Sequence, residues 1–158
     1  MLECSVIILN WNGEAMLRRY LPSVIQYTQL EGVEIVVADN GSTDASLEFL
    51  HSQPVRIIEL GENLGFAEGY NRAIEQVESK YVVLLNSDVE VTSNWLDTLL
   101  NYARAHEDVV AIQPKILSWQ SKEDAIKAGS SEILFEHAGA AGGMIDILGY
   151  PYCRGRFL

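Results

Sequence analysis

The stretch Val33-Glu34-Ile35-Val36-Val37-Ala38-Asp39-Asn40-Gly41-Ser42-Thr43-Asp44 decides the fold. A short, mostly apolar run rich in β-branched residues gives way to a cluster of turn formers, which is how a strand covered on both faces ends in a polar loop. The same unit recurs as Ser5 to Leu9 before Asn10-Trp11-Asn12-Gly13, as Val55 to Leu60 before Gly61-Glu62-Asn63-Leu64-Gly65, and as Tyr81 to Leu85 before Asn86-Ser87-Asp88. Helical spacing fills the gaps: Leu17, Leu21, Val24 and Ile25 from Glu14 onward, with Pro22 expected to start or kink that helix. Ala45 to His51 reads as a short helix, and Phe66, Tyr70, Ala73, Ile74 and Val77 mark the face of another. Such β-α alternation predicts a mostly parallel sheet with right-handed crossovers. A further helix is predicted from Asn94 to His106, with Asn94 and Asp97 as N-cap and N3 residues. Val109 to Ile112 and Ile116 to Trp119 are expected as later strands.

The 158 residues are one domain's worth, and 48% hydrophobic with 21% charged residues describes a globular chain. Eleven Lys and Arg against 22 Asp and Glu give a net charge of −11. Nucleic acid is excluded as a partner, because backbone phosphates need a clustered basic face. Cys4 and Cys153 form neither a CxxC pair nor a zinc-type cluster and are expected as free thiols in a reducing compartment. No apolar run approaches the length of a bilayer span, and Met1-Leu2-Glu3-Cys4 lacks the basic start of a signal peptide. The location expected is cytoplasmic, at most peripheral to the inner face of the membrane. Six of the twelve glycines fall in residues 129–158. That glycine-rich end, closing on Phe157-Leu158, is expected to belong to an interrupted domain.

In an open parallel sheet, ligands bind beyond the carboxyl ends of the strands, so the four polar clusters would converge on one edge. Any single cluster is explained by turn formation alone. Four at one edge, two of them ending in carboxylates, favour a site. The chain has no dinucleotide fingerprint, no phosphate loop and no Ser-His-Asp arrangement.

Val6-Ile7-Ile8-Leu9-Asn10-Trp11-Asn12, Asp39-Asn40-Gly41-Ser42-Thr43-Asp44, Asn63-Leu64-Gly65-Phe66-Ala67 through Asn71, and Leu84-Leu85-Asn86-Ser87-Asp88 resemble, in order, the signature blocks of family 2 inverting glycosyltransferases. The fourth block, running on into Val89-Glu90-Val91, is similar to bacterial enzymes that add rhamnose or related sugars to surface polysaccharides. The resemblance implies an α/β fold of the GT-A type, a Rossmann-like three-layer sandwich around a mostly parallel sheet, cut short on its C-terminal side. Residues 1–115 would form the nucleotide-sugar-binding half and 116–158 the start of the acceptor-side region of a single domain. Leu9, Trp11, Asn12, Asp39, Asn63, Gly65, Asn86 and Ser87 would then bind the nucleotide-sugar, with Asp39 accepting from the nucleobase. A charged acceptor suits the imide N–H of uracil or thymine.

Asp88 matches the last Asp of the family's Asp-x-Asp motif and is the expected metal ligand, for Mg²⁺ or Mn²⁺ shared with the donor diphosphate. Such a cation would reverse the local sign in a chain of charge −11. Asn86 departs from the motif by replacing its first Asp with a neutral amide. The implied reaction is a single displacement at the anomeric carbon, with a carboxylate base taking the acceptor's proton. Glu107-Asp108 and Glu123-Asp124 read as solvated surface, Glu136 and Asp146 are weak candidates, and the base is expected beyond Leu158. The partners implied are a nucleotide-diphospho-sugar donor and a glycan or lipid-linked saccharide acceptor. The competing reading is a non-catalytic nucleotide-binding or assembly module that pairs through an exposed sheet edge, in a homodimer for example. A sugar-phosphate nucleotidyltransferase is disfavoured, because no basic glycine-rich loop lies near the N-terminus.

Overall fold

A computed structural model of the protein describes residues 1–114, 116–129, 143–145 and 151–153. They divide into two compact units, Met1–Asp97 and Thr98–Leu158. In the first unit, β1 (Leu2–Asn10), β2 (Val33–Asp39), β3 (Arg56–Glu59) and β4 (Ser79–Asn86) alternate with α1 (Glu14–Tyr27), α2 (Ser46–Leu50) and α3 (Gly65–Ile74). The strands form one parallel sheet in the order β3-β2-β1-β4. The chain therefore steps from β1 to β2 to β3 in one direction and returns across β1 to β4. With right-handed crossovers, α1 and α2 lie on one face and α3 on the other. Accordingly α1 packs with α2, while α3 packs on β1 and β2.

Side-chain alternation supplies both layers of core. Ile7, Val36, Ala38 and Ile58 point to α3 and bury its Tyr70 and Ala73. Val6, Ile8 and Val37 point to the opposite face, and α1 buries Leu17, Leu21 and Val24. Each buried aliphatic side chain contributes about 1.5–3 kcal/mol. Cys4 to Ile8 are buried without interruption, which is why β1 reads as one apolar run. Pro22 neither starts nor ends α1; it sits inside a continuous helix.

β4 departs from expectation. Its apolar run predicted cover on both faces, yet Val82 is 38% and Leu84 is 53% exposed on the α3 side of this strand, which ends the sheet among the described residues. α3 lies over β1 and β2, further into the sheet.

α4 (Trp95–Ala105) follows, preceded by Asn94 in a left-handed conformation at φ 60°. The strand expected over Val109 to Ile112 does not form, and Val110 is fully exposed. Ile116 to Trp119 is also not a strand. Only Leu117 makes a bridge, and Ser118 then caps α5 (Trp119–Ala128), its side chain accepting from the Ser121 N–H. Trp119 Nε1 donates to Glu123 and Gln120 to Asp124, four residues apart, a spacing that only a helix brings together. In the glycine-rich part, β5 (Gly143–Ile145) pairs antiparallel with β6 (Pro151–Cys153). Glu136 and Asp146, weighed as bases, lie outside the described residues. Among the described residues no helix is long and apolar enough to cross a membrane.

Candidate functional site

The chain leaves β1 for α1 on one face and reaches β4 from α3 on the other, so the sheet's topological switch point lies between these neighbouring strands. The crevice outside the carboxyl ends at such a point is where open α/β sheets bind ligands. Leu9 is registered against Asn86 and Asn10 against Asp39, which brings three of the four polar clusters level at this edge.

The β1 and β2 loops are laced together by side chains. Asn10 Nδ2 donates to Asp39 Oδ1 at 3.1 Å and to Ser42 Oγ at 3.1 Å. The Ser42 N–H donates to Asp39 Oδ2 at 2.9 Å, and the Asn12 N–H to Ser42 Oγ at 2.9 Å. Asn12 Oδ1 in turn accepts from the N–H of Thr43 at 2.7 Å and of Asp44 at 3.3 Å. Asp44 accepts from the N–H of Glu14 and of Ser46, so the first N–H of α1 is already taken. Desolvation opposes ionisation of Asp44, but these hydrogen bonds outweigh it and hold its carboxyl below the usual range.

The β3 loop is fastened by Asn40, 2% exposed. Its Nδ2 donates to Asn63 Oδ1 and to the Gly65 carbonyl, and its Oδ1 accepts from the Leu64 N–H. Gly69 lets α3 approach β1, for a Cβ there would lie 2.9 Å from a Leu9 methyl. Beneath the edge, Tyr70 donates its hydroxyl to the Leu85 carbonyl at 3.0 Å, just before Asn86-Ser87-Asp88. Burial pushes the Tyr70 phenol up, with a smaller contribution from the Asp88 charge, against a lowering backbone hydrogen bond from Leu9.

The sequence-predicted residues thus fall into two kinds. Asp39 is 1% exposed, with both oxygens holding donors, and Asn12 and Asn63 brace loops. Leu9 packs against the core, while Trp11 stands 56% exposed. Gly65, Asn86 and Asp88 are exposed and Ser87 half-buried. Asn10 and Asn40 were not singled out from sequence, yet they are the hubs. The available signal was an Asn on the inward face of a buried strand, which must find a partner. Arg72 pairs with Glu68 and Glu75 on the surface of α3.

Among the described residues no three His, Cys, Asp or Glu side chains gather as a self-sufficient metal site. The donor set is one carboxylate, Asp88, with the Asn86 amide two residues before it. That fits a hard cation completed by substrate phosphates, the usual arrangement for Mg²⁺, and does not fit a cation held by protein alone. A cavity of about 360 Å³ lined by Thr28, Gln29, Glu34 and Arg56 opens at the other end of β2 and β3, away from this edge.

An open α/β sheet with polar loops meeting at its switch point is the architecture of nucleotide-binding proteins. The model of the family "Glycosyl transferase family 2" matches residues 5–141. The chain belongs to glycosyltransferase family 2. An uncharacterized glycosyltransferase of Haemophilus influenzae is 27% identical over 113 residues, covering 68% of this chain and 35% of its own length. The N-acetylglucosaminyl-diphospho-decaprenol L-rhamnosyltransferase of Mycobacterium tuberculosis is 29% identical over 124 residues, 70% of this chain and 40% of that protein. The chain thus spans well under half the length of these relatives. Among solved structures, TarS residues 1–349 of S. aureus in complex with UDP-GlcNAc superposes with a TM-score of 0.61 at 24% identity, covering 67% of this chain and 32% of that one. The fold is that of the GT-A glycosyltransferases.

Proposed function

We propose that this chain binds the donor of an inverting glycosyltransferase, a nucleotide-diphospho-sugar, for transfer to a glycan or lipid-linked saccharide in polysaccharide assembly. The observation that carries the reading is that the braced Asp39 carboxylate, at the end of β2, and the exposed Asn86-Ser87-Asp88 turn, at the end of β4, flank the end of β1 on the carboxyl edge of the sheet. Asp39 would read the nucleobase, the loop residues Trp11, Asn12, Asn63 and Gly65 would line the pocket with Leu9, and Asn86 and Ser87 would face the sugar-phosphate. UDP and UDP-GlcNAc are bound by TarS, in line with such a donor. Asp88 would hold Mg²⁺ or Mn²⁺ jointly with the diphosphate. The cation would stabilise charge on the departing diphosphate. We assign the proton-accepting base to none of the acids of residues 105–125: Glu107 and Asp108 are exposed in the turn after α4, and Glu123 is held by Trp119.

Calorimetry with UDP-, dTDP- and GDP-sugars, with and without Mn²⁺, tests this reading. Donor binding strengthened by Mn²⁺ is expected; an absence of binding by every nucleotide-sugar would overturn it. A second reading, a nucleotide-binding module that pairs with another chain, is favoured by the exposed Val82 and Leu84 on edge strand β4. Sedimentation equilibrium showing a dimer dispersed by Leu84→Lys would support it, and a monomer at all concentrations would count against it.

A further inference from the structure

We propose that Asn10 is a positioning residue for donor recognition: its side-chain amide orients the Asp39 carboxylate for the nucleobase N–H. The inference rests on the donor-site reading and deepens it.

Asn10 ends β1 on the same face as Val6 and Ile8, where the strand is otherwise packed with apolar side chains, and it is 1% exposed. Both hydrogens of its amide are committed, one to Asp39 Oδ1 and one to Ser42 Oγ. Because a carboxylate only accepts, the nitrogen and not the oxygen of Asn10 must face Asp39, which fixes the amide's orientation chemically. Its oxygen has no hydrogen-bond partner among the described residues. It occupies space that a side chain at residue 13 would need, for a Cβ on Gly13 would lie 2.4 Å from it. A buried unsatisfied oxygen is destabilising. A residue serving packing alone would not incur that cost, since a leucine of similar size fills the same volume. What an amide supplies is a neutral donor. It pins Asp39 Oδ1 while the Ser42 N–H pins Oδ2, and it leaves both the negative charge and about half of the carboxylate's lone-pair positions for a ligand. A Lys or Arg in its place would neutralise that charge. An oriented carboxylate favours a base that presents an N–H, such as uracil, over one that presents a bare ring nitrogen, such as cytosine.

The test is titration of UDP and CDP, in Mg²⁺, into the wild-type protein and the variants Asn10→Leu, Asn10→Thr and Asp39→Asn, with thermal melting of each. Wild type should prefer UDP. Asn10→Leu should weaken UDP about tenfold or more, the scale of a hydrogen bond to a charged group, and should weaken CDP by much less, whatever the shift in melting temperature. Asn10→Thr, whose hydroxyl can still donate to Asp39, should keep the preference and provides the test if the leucine variant does not fold. In the Asp39→Asn background, Asn10→Leu should have no further effect on UDP. Equal losses for UDP and CDP in Asn10→Leu, which leave the UDP/CDP ratio unchanged, would reduce Asn10 to a structural role and overturn the proposal, as would an unchanged UDP affinity. Unchanged UDP affinity in Asp39→Asn would instead sink the donor-site reading itself.

Discussion

Gly41 and Gly61 both adopt left-handed backbone conformations in loops at the carboxyl edge of the sheet, with φ 75° and 84°, yet only one is packed. A Cβ on Gly41 would lie 2.6 Å from Glu62 Cα, 2.7 Å from Glu62 C and 3.0 Å from Asn63 N, all backbone atoms; one on Gly61 meets nothing within 4 Å. An alanine at either position incurs about 1–2 kcal/mol for its backbone conformation, partly offset by about 0.4–1 kcal/mol from a stiffer unfolded chain. Gly61→Ala should therefore cost about 1 kcal/mol. Gly41→Ala must also push the β2 and β3 loops apart. Three hydrogen bonds span that gap, two donated by Asn40 to Asn63 and Gly65 and one accepted by it from the Leu64 N–H, and each contributes about 1 kcal/mol. The two variants should differ by about 2–3 kcal/mol, which for a chain of this size corresponds to a difference in melting temperature of roughly 4–12 °C. Thermal melts followed by circular dichroism read the difference directly, and UDP titration should show Gly41→Ala alone impaired. Melting temperatures within 2 °C of each other, a margin of about 1 kcal/mol or less, would refute the close packing of these loops.

Asp88→Ala should leave the melting temperature within about 2 °C, since the side chain is exposed, while abolishing the gain in donor affinity from Mn²⁺; calorimetry with and without EDTA checks both. Tyr70→Phe removes the buried donor to the Leu85 carbonyl and should cost about 1–3 kcal/mol in urea unfolding, with the slope of the transition unchanged. Burial, with a smaller contribution from Glu3, pushes the Cys4 thiol up to about 11 from an ordinary 9.0. The folded state then holds its proton more tightly than the unfolded chain. Its contribution is complete below pH 9 and is lost as pH rises from 9 to 11, and unfolding in urea at pH 8 and pH 10.5 should show a fall in stability that Cys4→Ala flattens.

What the sequence disclosed follows from which physical signals are local. The central strands were legible because Cys4 to Ile8 and Val36 to Ala38 are buried on both faces, so burial leaves a continuous apolar run. The run at β4 looks alike, although half of it is exposed, and nothing in its composition separates it from the covered strands. Ile116 to Trp119 misled for a related reason: a short apolar run has no period of its own, and the helix there is set by the Ser118 cap and by the pairs Trp119/Glu123 and Gln120/Asp124. At the site, Asn, Asp and Gly identified the loops but not their division of labour. Asp39 and Asp88 look equivalent as letters, yet one is braced by two donors in the interior and the other is exposed. That difference is set by Asn10, Asn40 and Ser42, whose hydrogen bonds span 3 to 32 residues of sequence and so leave no periodic trace. The readable cue is narrower: Asn10 continues the inward register of Val6 and Ile8. A polar side chain in that register implies a buried partner near the end of the adjacent strand, where Asp39 stands.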